Sequence, residues 1–152
     1  MQQGLEKGEP ADQGLGRSRG GWGSKLHLVS ERGGKPIRVR LSVGQRHESV
    51  EALPLLEETL ERMWPDAVAG DKGYSTAAIR NWLAQREIEV VIPKRENEMG
   101  PKQYDREAYR ERTIVERTIN RLKRYRRIAT RYEKLAASYL ALVTIACILE
   151  WF

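Results

Sequence analysis

The spacing of apolar residues changes period more than once between residue 25 and the end of the chain, and that order constrains the fold more than any other feature. Ile37, Val39, Leu41 and Val43 alternate with Arg38, Arg40 and Ser42, the period of two expected of a strand with one apolar face. A run at residues 25–29 precedes it, and the intervening "ERGGKP" carries turn residues, so the pair predicts a hairpin. Leu53, Leu56, Leu60 and Met63 then recur at helical spacing, and Pro65 ends that helix. A short apolar strand at 67–70 stops at Asp71; Ser75 or Thr76 caps a helix with the apolar face Ile79, Trp82 and Leu83; residues 88–92 form a strand closed by Pro93. A polar loop covers 94–105. A basic amphipathic helix over 109–127 and a nearly all-apolar helix at about 136–151 complete the chain, and the last helix has to be buried in a core or an interface.

Strand, strand, helix, strand, helix, strand and long helices predict an α/β fold, a sheet covered by helices, with functional groups at the carboxyl ends of strands. Residues 1–23 are polar and Gly-rich, a leader or long loop, and residues 24–152 make up the body. A chain of 152 residues is one ordinary domain. The single cysteine, Cys147, lies in an apolar run, which points to a reducing compartment. The N-terminus lacks the order of a signal peptide, and the apolar run at 139–149 is shorter than the ~20 residues of a membrane span. A cytoplasmic protein without a membrane partner is expected.

Charge narrows the partners. Residues 101–134 hold twelve Lys and Arg against five Asp and Glu, a local +7, while the whole chain is +6. One segment therefore carries the entire excess, the electrostatic footprint of a nucleic-acid partner as well as of an Arg-rich solvated helix. Within it, Tyr109, Arg112, Glu116, Asn120, Lys123 and Arg127 recur at steps of three or four and select one stripe. A carboxylate between cations is a frame for a metal ion bound to a phosphate, since Mg²⁺ takes one or two carboxylates plus substrate oxygens. The plainer account of Glu116 is an i,i+4 ion pair with Arg112, or a contact with Asn120 or Arg121. The plainer account of Asp71 is a turn or helix-capping acid. His27 and His47 are twenty residues apart with no cysteine near either, so no zinc site competes.

The offsets of Tyr109, Arg112, Glu116 and Lys123 resemble the Tyr-Arg-Glu-Lys signature of the DDE transposases of bacterial insertion sequences, in the group named after insertion sequences four and five. "GRSRGGWGSKLHL", "GQRHES", "AGDKGYS", "VIPKRE" and "RRIATRYEKLAASYLALV" are similar to blocks of that group in the same order, so the likeness runs from about residue 12 to residue 152. The resemblance implies an RNase H-like domain, a mixed sheet flanked by helices, in which three acids hold two Mg²⁺ ions for in-line attack on phosphodiester bonds. Asp71 matches the second acid and Glu116 the third. Arg112, Lys123 and Tyr109 match positions that contact DNA, and Arg126 and Arg127 extend the basic surface by charge alone. Double-stranded DNA, as terminal repeats and target, and a homodimer on paired ends at the nucleoid are implied as well.

The family's first Asp stands on a central strand upstream of the block that resembles "GRSRGG". The Asp residues here are Asp12, Asp66, Asp71 and Asp105, and Asp12 lies in the polar leader. The expectation is the C-terminal part of a transposase, a second reading frame or a remnant, with the first, central strand lacking and the two halves of the sheet left unjoined. It should be inactive alone and active when joined to the part carrying the first Asp. Two other readings stay open: a non-catalytic DNA-binding fragment that inhibits transposition, and a nuclease acting on RNA-containing duplexes.

Overall fold

The computed structural model describes residues 12–18, 21–100 and 106–152; residues 1–11 and 19–20 of the leader, and 101–105 of the polar loop, lie outside them. Its centre is the predicted hairpin, β2 (Gly21–Ser30) and β3 (Pro36–Val43), antiparallel with Leu26 opposite Leu41 and Leu28 opposite Val39. The strand begins at Gly21, earlier than the apolar pattern indicated, because β1 (Gly16–Ser18) pairs with residues 21–23. Backbone hydrogen bonding extends the strand where side chains carry no alternation.

The two faces of the hairpin are covered in different ways. Leu26, Leu28, Val39 and Leu41 pack into a core with Leu122, Val143, Ala146 and Cys147 from the C-terminal helices. Arg38 and Arg40 point the other way, toward α1 (Glu48–Leu60). Arg40 pairs with Glu51 at 3.2 Å and also with Glu58, and the Arg38 guanidinium donates to the Glu58 carbonyl at 2.9 Å. Glu51, only 5% exposed, also takes Arg46 at 2.8 Å. Paired charges thus replace apolar contacts on this face, and removing one partner leaves a buried charge uncompensated. α1 stops at Leu60, before Pro65, so Met63 lies beyond the helix and 40% exposed.

The hairpin turn is fastened to the far side of the molecule. Gly34 has a φ of +88°, and its carbonyl accepts from Thr118 Oγ1 at 2.7 Å and from the Arg121 guanidinium. A Cβ there would sit 3.3 Å from both Ile114 Cγ2 and Arg121 Nη2.

A second core joins α1, α2 (Ala77–Ala84) and the parallel pair β4 (Ala67–Ala69) and β5 (Glu89–Val91), centred on Leu56, Ile79, Leu83 and Ile88. Of the two capping candidates, Thr76 does it: its hydroxyl accepts from the Ile79 amide at 3.2 Å.

The basic stretch is not one helix, contrary to its periodicity. It forms α3 (Arg106–Arg110), α4 (Thr113–Leu122) and α5 (Arg126–Ala129). At Tyr125 the backbone is extended. Leu122 and Ile128 both belong to the same core, yet in a continuous helix six residues would place them ~120° apart. The break lets both side chains reach one core, and Tyr139 Oη bonds the Ile128 carbonyl at 2.9 Å. α6 (Ala136–Leu149) buries Tyr139, Val143, Ala146 and Cys147, while Ile145, Ile148 and Leu149 are exposed. No helix among the described residues is long and apolar enough to cross a membrane.

The described strands form two sheets, β1-β2-β3 and β4-β5, a mixed α/β arrangement. Residues 24–30 of β2 pair on one edge with β3, β4 pairs on one edge with β5, and no described strand covers the remaining edges. Leu26 and Leu28 of β2 and Val68 and Ala69 of β4 line one cavity of about 200 Å³, roofed by Leu56 and floored by Val115 and Ile119. Among the described residues the two sheets are thus unjoined, and the slot between them is lined by apolar side chains of α1 and α4.

Gly34→Ala should lower stability by about 1–2 kcal/mol, read as a shift of the urea midpoint, because a left-handed φ and a tight Cβ contact add. His27 is fully buried and burial lowers its pKa below 6.5, with Lys25 and Arg40 pushing the same way and Glu51 and Glu48 opposing. The unfolded chain then binds the proton more readily, so stability should fall as pH drops below 6.5. His27→Gln should flatten the stability profile between about pH 7 and pH 5.5.

Candidate active site

β4 delivers Asp71 to the surface. After Gly70 the chain is extended at Asp71, with φ −73° and ψ 161°, and then makes a single 3₁₀ turn over Lys72–Tyr74. The Asp71 side chain makes no capping bond, so the plain reading of a helix-capping acid does not describe it. Two anchors hold the turn. The Arg95 guanidinium donates to the carbonyls of Lys72 at 3.0 Å and Gly73 at 2.8 Å. Tyr74 packs edge-on against buried His27, its hydroxyl 3.3 Å from Nδ1, and His27 Nε2 is 2.8 Å from the Ser42 hydroxyl. Burial first, then the negative charges of Glu48 and Asp71, raises the Tyr74 phenol to about 12.

α4 delivers Glu116 to the same place. Arg112 Nη1 donates to Glu116 Oε1 at 2.9 Å, the i,i+4 pair expected of a solvated helix, and also to Asp71 Oδ1 at 2.9 Å. Two carboxylates 45 residues apart in the chain therefore share one nitrogen, which helical spacing alone does not produce. The acid side chains are 58% and 59% exposed, that of Arg112 30%. The Arg112 guanidinium also stacks on the Tyr109 ring, Cζ 4.8 Å from its centroid. Asp71, Tyr109, Arg112 and Glu116 are thus brought together.

The other cations of the sequence reading are spread out. Lys123 stands at the C-terminal end of α4, exposed, and lines a broad groove of about 840 Å³ together with Lys25, Arg131 and Lys134. Lys25 also lines the cavity beside Asp71 and Tyr109, which connects groove and acids. It pairs with Glu48 at 2.7 Å, and that bond holds the Glu48 carboxyl below its usual range. Arg126 and Arg127 sit exposed on α5 outside this groove, and Arg127 is 3.4 Å from Glu133. Sequence reasoning missed Lys25, Arg131 and Lys134. Lys25 belongs to a strand nearly a hundred residues before Lys123, and no local spacing signals that they meet.

The two acids suit a hard divalent cation in part. They are oxygen donors aimed at one cationic atom, open to solvent for water and substrate ligands. Among the described residues no group of three or more His, Cys, Asp or Glu could hold a metal, so these two carboxylates are what the described residues offer.

Residues 6–151 match the family described as the transposase DDE domain. The chain is 31% identical over 137 residues to a protein of Burkholderia cepacia named as a transposase for insertion sequence element IS402, a match covering 84% of this chain and 62% of that one. It is 30% identical over 129 residues to one of Brucella ovis named as a transposase for insertion sequence element IS6501, covering 84% and 97%. The chain thus spans less than two thirds of the first relative and nearly all of the second. No solved structure matches it significantly.

The Arg95 anchor is open to a direct test. Arg95→Ala should speed hydrogen exchange at the amides of Tyr74 and Ser75, which bond to the carbonyls of Asp71 and Lys72, while the β2–β3 ladder amides stay protected.

Proposed function

The chain belongs to the transposase DDE domain family, and on that premise we propose that it is the C-terminal part of an insertion-sequence transposase, supplying two acids and a basic surface for cutting and joining DNA. The observation that carries this reading is the convergence of Asp71 and Glu116 on one cation position beside a basic groove. Tyr109, Arg112, Glu116 and Lys123 then take the roles of the Tyr-Arg-Glu-Lys signature, in the group named after insertion sequences four and five.

In this reading Asp71 and Glu116 hold Mg²⁺, two ions once a further acid completes the set. Metal held there supplies Lewis-acid polarisation of a phosphodiester and a more acidic bound water. The rest is the chain's own work. Lys25, Lys123 and Lys134 neutralise backbone phosphates along the groove, a sequence-independent attraction that weakens with salt, while Arg131, whose guanidinium donates to Gln13, Ser24, Glu133 and Lys134, builds the groove wall. Arg112, held on Tyr109, presents its guanidinium at the reacting phosphate. His27, Tyr74 and Arg95 keep the Asp71 turn in place.

The slot between β2 and β4 supports joining to another segment. Two strand edges that no described strand covers, with apolar side chains of α1 and α4 lining the slot between them, suit an all-apolar strand, because a strand buried on both faces lacks polar alternation. A strand entering there would end beside Asp71 and Glu116, where the remaining acid is needed. The fragment by itself is then inactive. Double-stranded DNA, two copies on paired element ends and action at the nucleoid belong to the same proposal.

Joined to the upstream part, the protein should cleave and transfer terminal-repeat DNA in Mg²⁺, and Asp71→Asn or Glu116→Gln should each reduce that at least about a hundredfold with DNA affinity held or raised. Mg²⁺-dependent strand transfer by the 152-residue chain alone would sink the fragment reading. Lys123→Ala should weaken binding to all sequences alike and lower the salt slope by about one. A second reading, a DNA-binding inhibitor without catalysis, is favoured by the Arg112 guanidinium that already pairs with both acids. It predicts that Glu116→Gln changes nothing in the joined protein.

A further inference from the structure

A guanidinium stands where a metal-binding pair of carboxylates converges, and its contacts differ from those of an ordinary surface ion pair. A single nitrogen, Arg112 Nη1, donates to Asp71 Oδ1 and to Glu116 Oε1, 2.9 Å each. The two oxygens are therefore at most twice that distance apart, with the nitrogen between them. A Mg²⁺ ion held by these acids would take oxygen at about 2.0–2.1 Å, and it would compete for the same oxygens to which Nη1 donates. Guanidinium and ion oppose one another, by competition for the same oxygens and by like charge.

Arg112 also has another place to go. Its Cζ lies 4.8 Å from the centroid of the Tyr109 ring, an attraction independent of either acid. Tyr109 lines the cavity beside Asp71 that Lys25 joins to the basic groove. Released from the acids, the guanidinium can stay against the ring and turn its N–H groups toward a phosphodiester, a planar fork matched to phosphate oxygens.

We infer that Arg112 is a displaceable internal counter-ion: it pairs with Asp71 and Glu116 and offsets one of their two charges until a divalent cation takes its place, and it then passes to a DNA phosphate. This rests on the reading of the two acids as metal ligands. Metal and DNA binding are coupled in consequence, since each removes Arg112 from the other's competitor, and thermodynamic linkage makes the effect mutual. Metal affinity of the free chain is low because Arg112 competes for the acids, and rises when a phosphate backbone engages it.

The test uses Mn²⁺ with the purified chain, followed by the electron paramagnetic resonance of the free ion. Arg112→Gln should bind Mn²⁺ roughly tenfold tighter than the unaltered chain, the loss of two half-exposed ion pairs. Adding Glu116→Gln should abolish the gain. A short DNA duplex should tighten Mn²⁺ binding to the unaltered chain several-fold and leave Arg112→Gln unaffected. Should that variant fail to fold, the Nε–H resonance of Arg112 in the unaltered chain carries the same question: it should shift with the midpoint of Mn²⁺ binding. Equal, Glu116-dependent affinity in both proteins, or an Arg112 resonance unmoved while metal binds, overturns the counter-ion role and leaves the metal site standing. Absence of Mn²⁺ binding in both, with or without duplex, overturns the metal-site reading and this inference with it.

Discussion

Everything else in the fold depends on the unequal faces of the β2–β3 hairpin. One face presents Leu26, Leu28, Val39 and Leu41, and only apolar helix faces can cover it; α4 and α6 do so with Leu122, Val143 and Ala146. The other presents Arg38 and Arg40, and α1 can cover those only by bringing Glu51 and Glu58. Opposite chemistries on the two faces decide which helix lies on which side, because exchanging them would strand buried charges against hydrocarbon.

That layering also positions the acids. α4 rides on the apolar face, which brings the first turn of the helix, with Glu116, over the uncovered edge of β2. α1 on the ionic face packs against the β4–α2–β5 unit through Ala52 and Leu56, which brings the end of β4, with Asp71, to the opposite side of the same edge. The slot and the meeting of the acids are one consequence of this geometry: the cavity between β2 and β4 reaches the surface at Asp71, Arg112 and Glu116. A pair of carboxylates so placed needs a cation, and Arg112 provides one from within the chain.

Fold class, the hairpin and the helix between β4 and β5 were legible in the sequence, and the acids could be named as candidates, because each rests on short-range signals. Alternation along 37–43 reports a one-faced strand, Thr76 before Ile79 reports a helix start, and the three offsets from Tyr109 to Lys123 carry a family likeness that the match over residues 6–151 supports at the level of the transposase DDE domain. The same signals misled where tertiary packing competed with them. The stripe from Tyr109 to Arg127 reads as one helix, yet the demand of Leu122 and Ile128 for a single core breaks it at Tyr125.

By itself the sequence determined which residues are chemically able to act: the position of Asp71 after an apolar strand, of Glu116 among cations, and the concentration of positive charge in one segment. Those are properties of composition and spacing, fixed along the chain before any folding. Only the tertiary structure decided that Asp71 and Glu116 share one nitrogen, that Lys25 joins Lys123 along a groove, that Arg126 and Arg127 lie outside it, and that two strand edges face each other across an apolar slot. Each of these is a meeting of residues far apart in the chain, and such meetings arise from the packing of whole elements, about which local spacing holds no information.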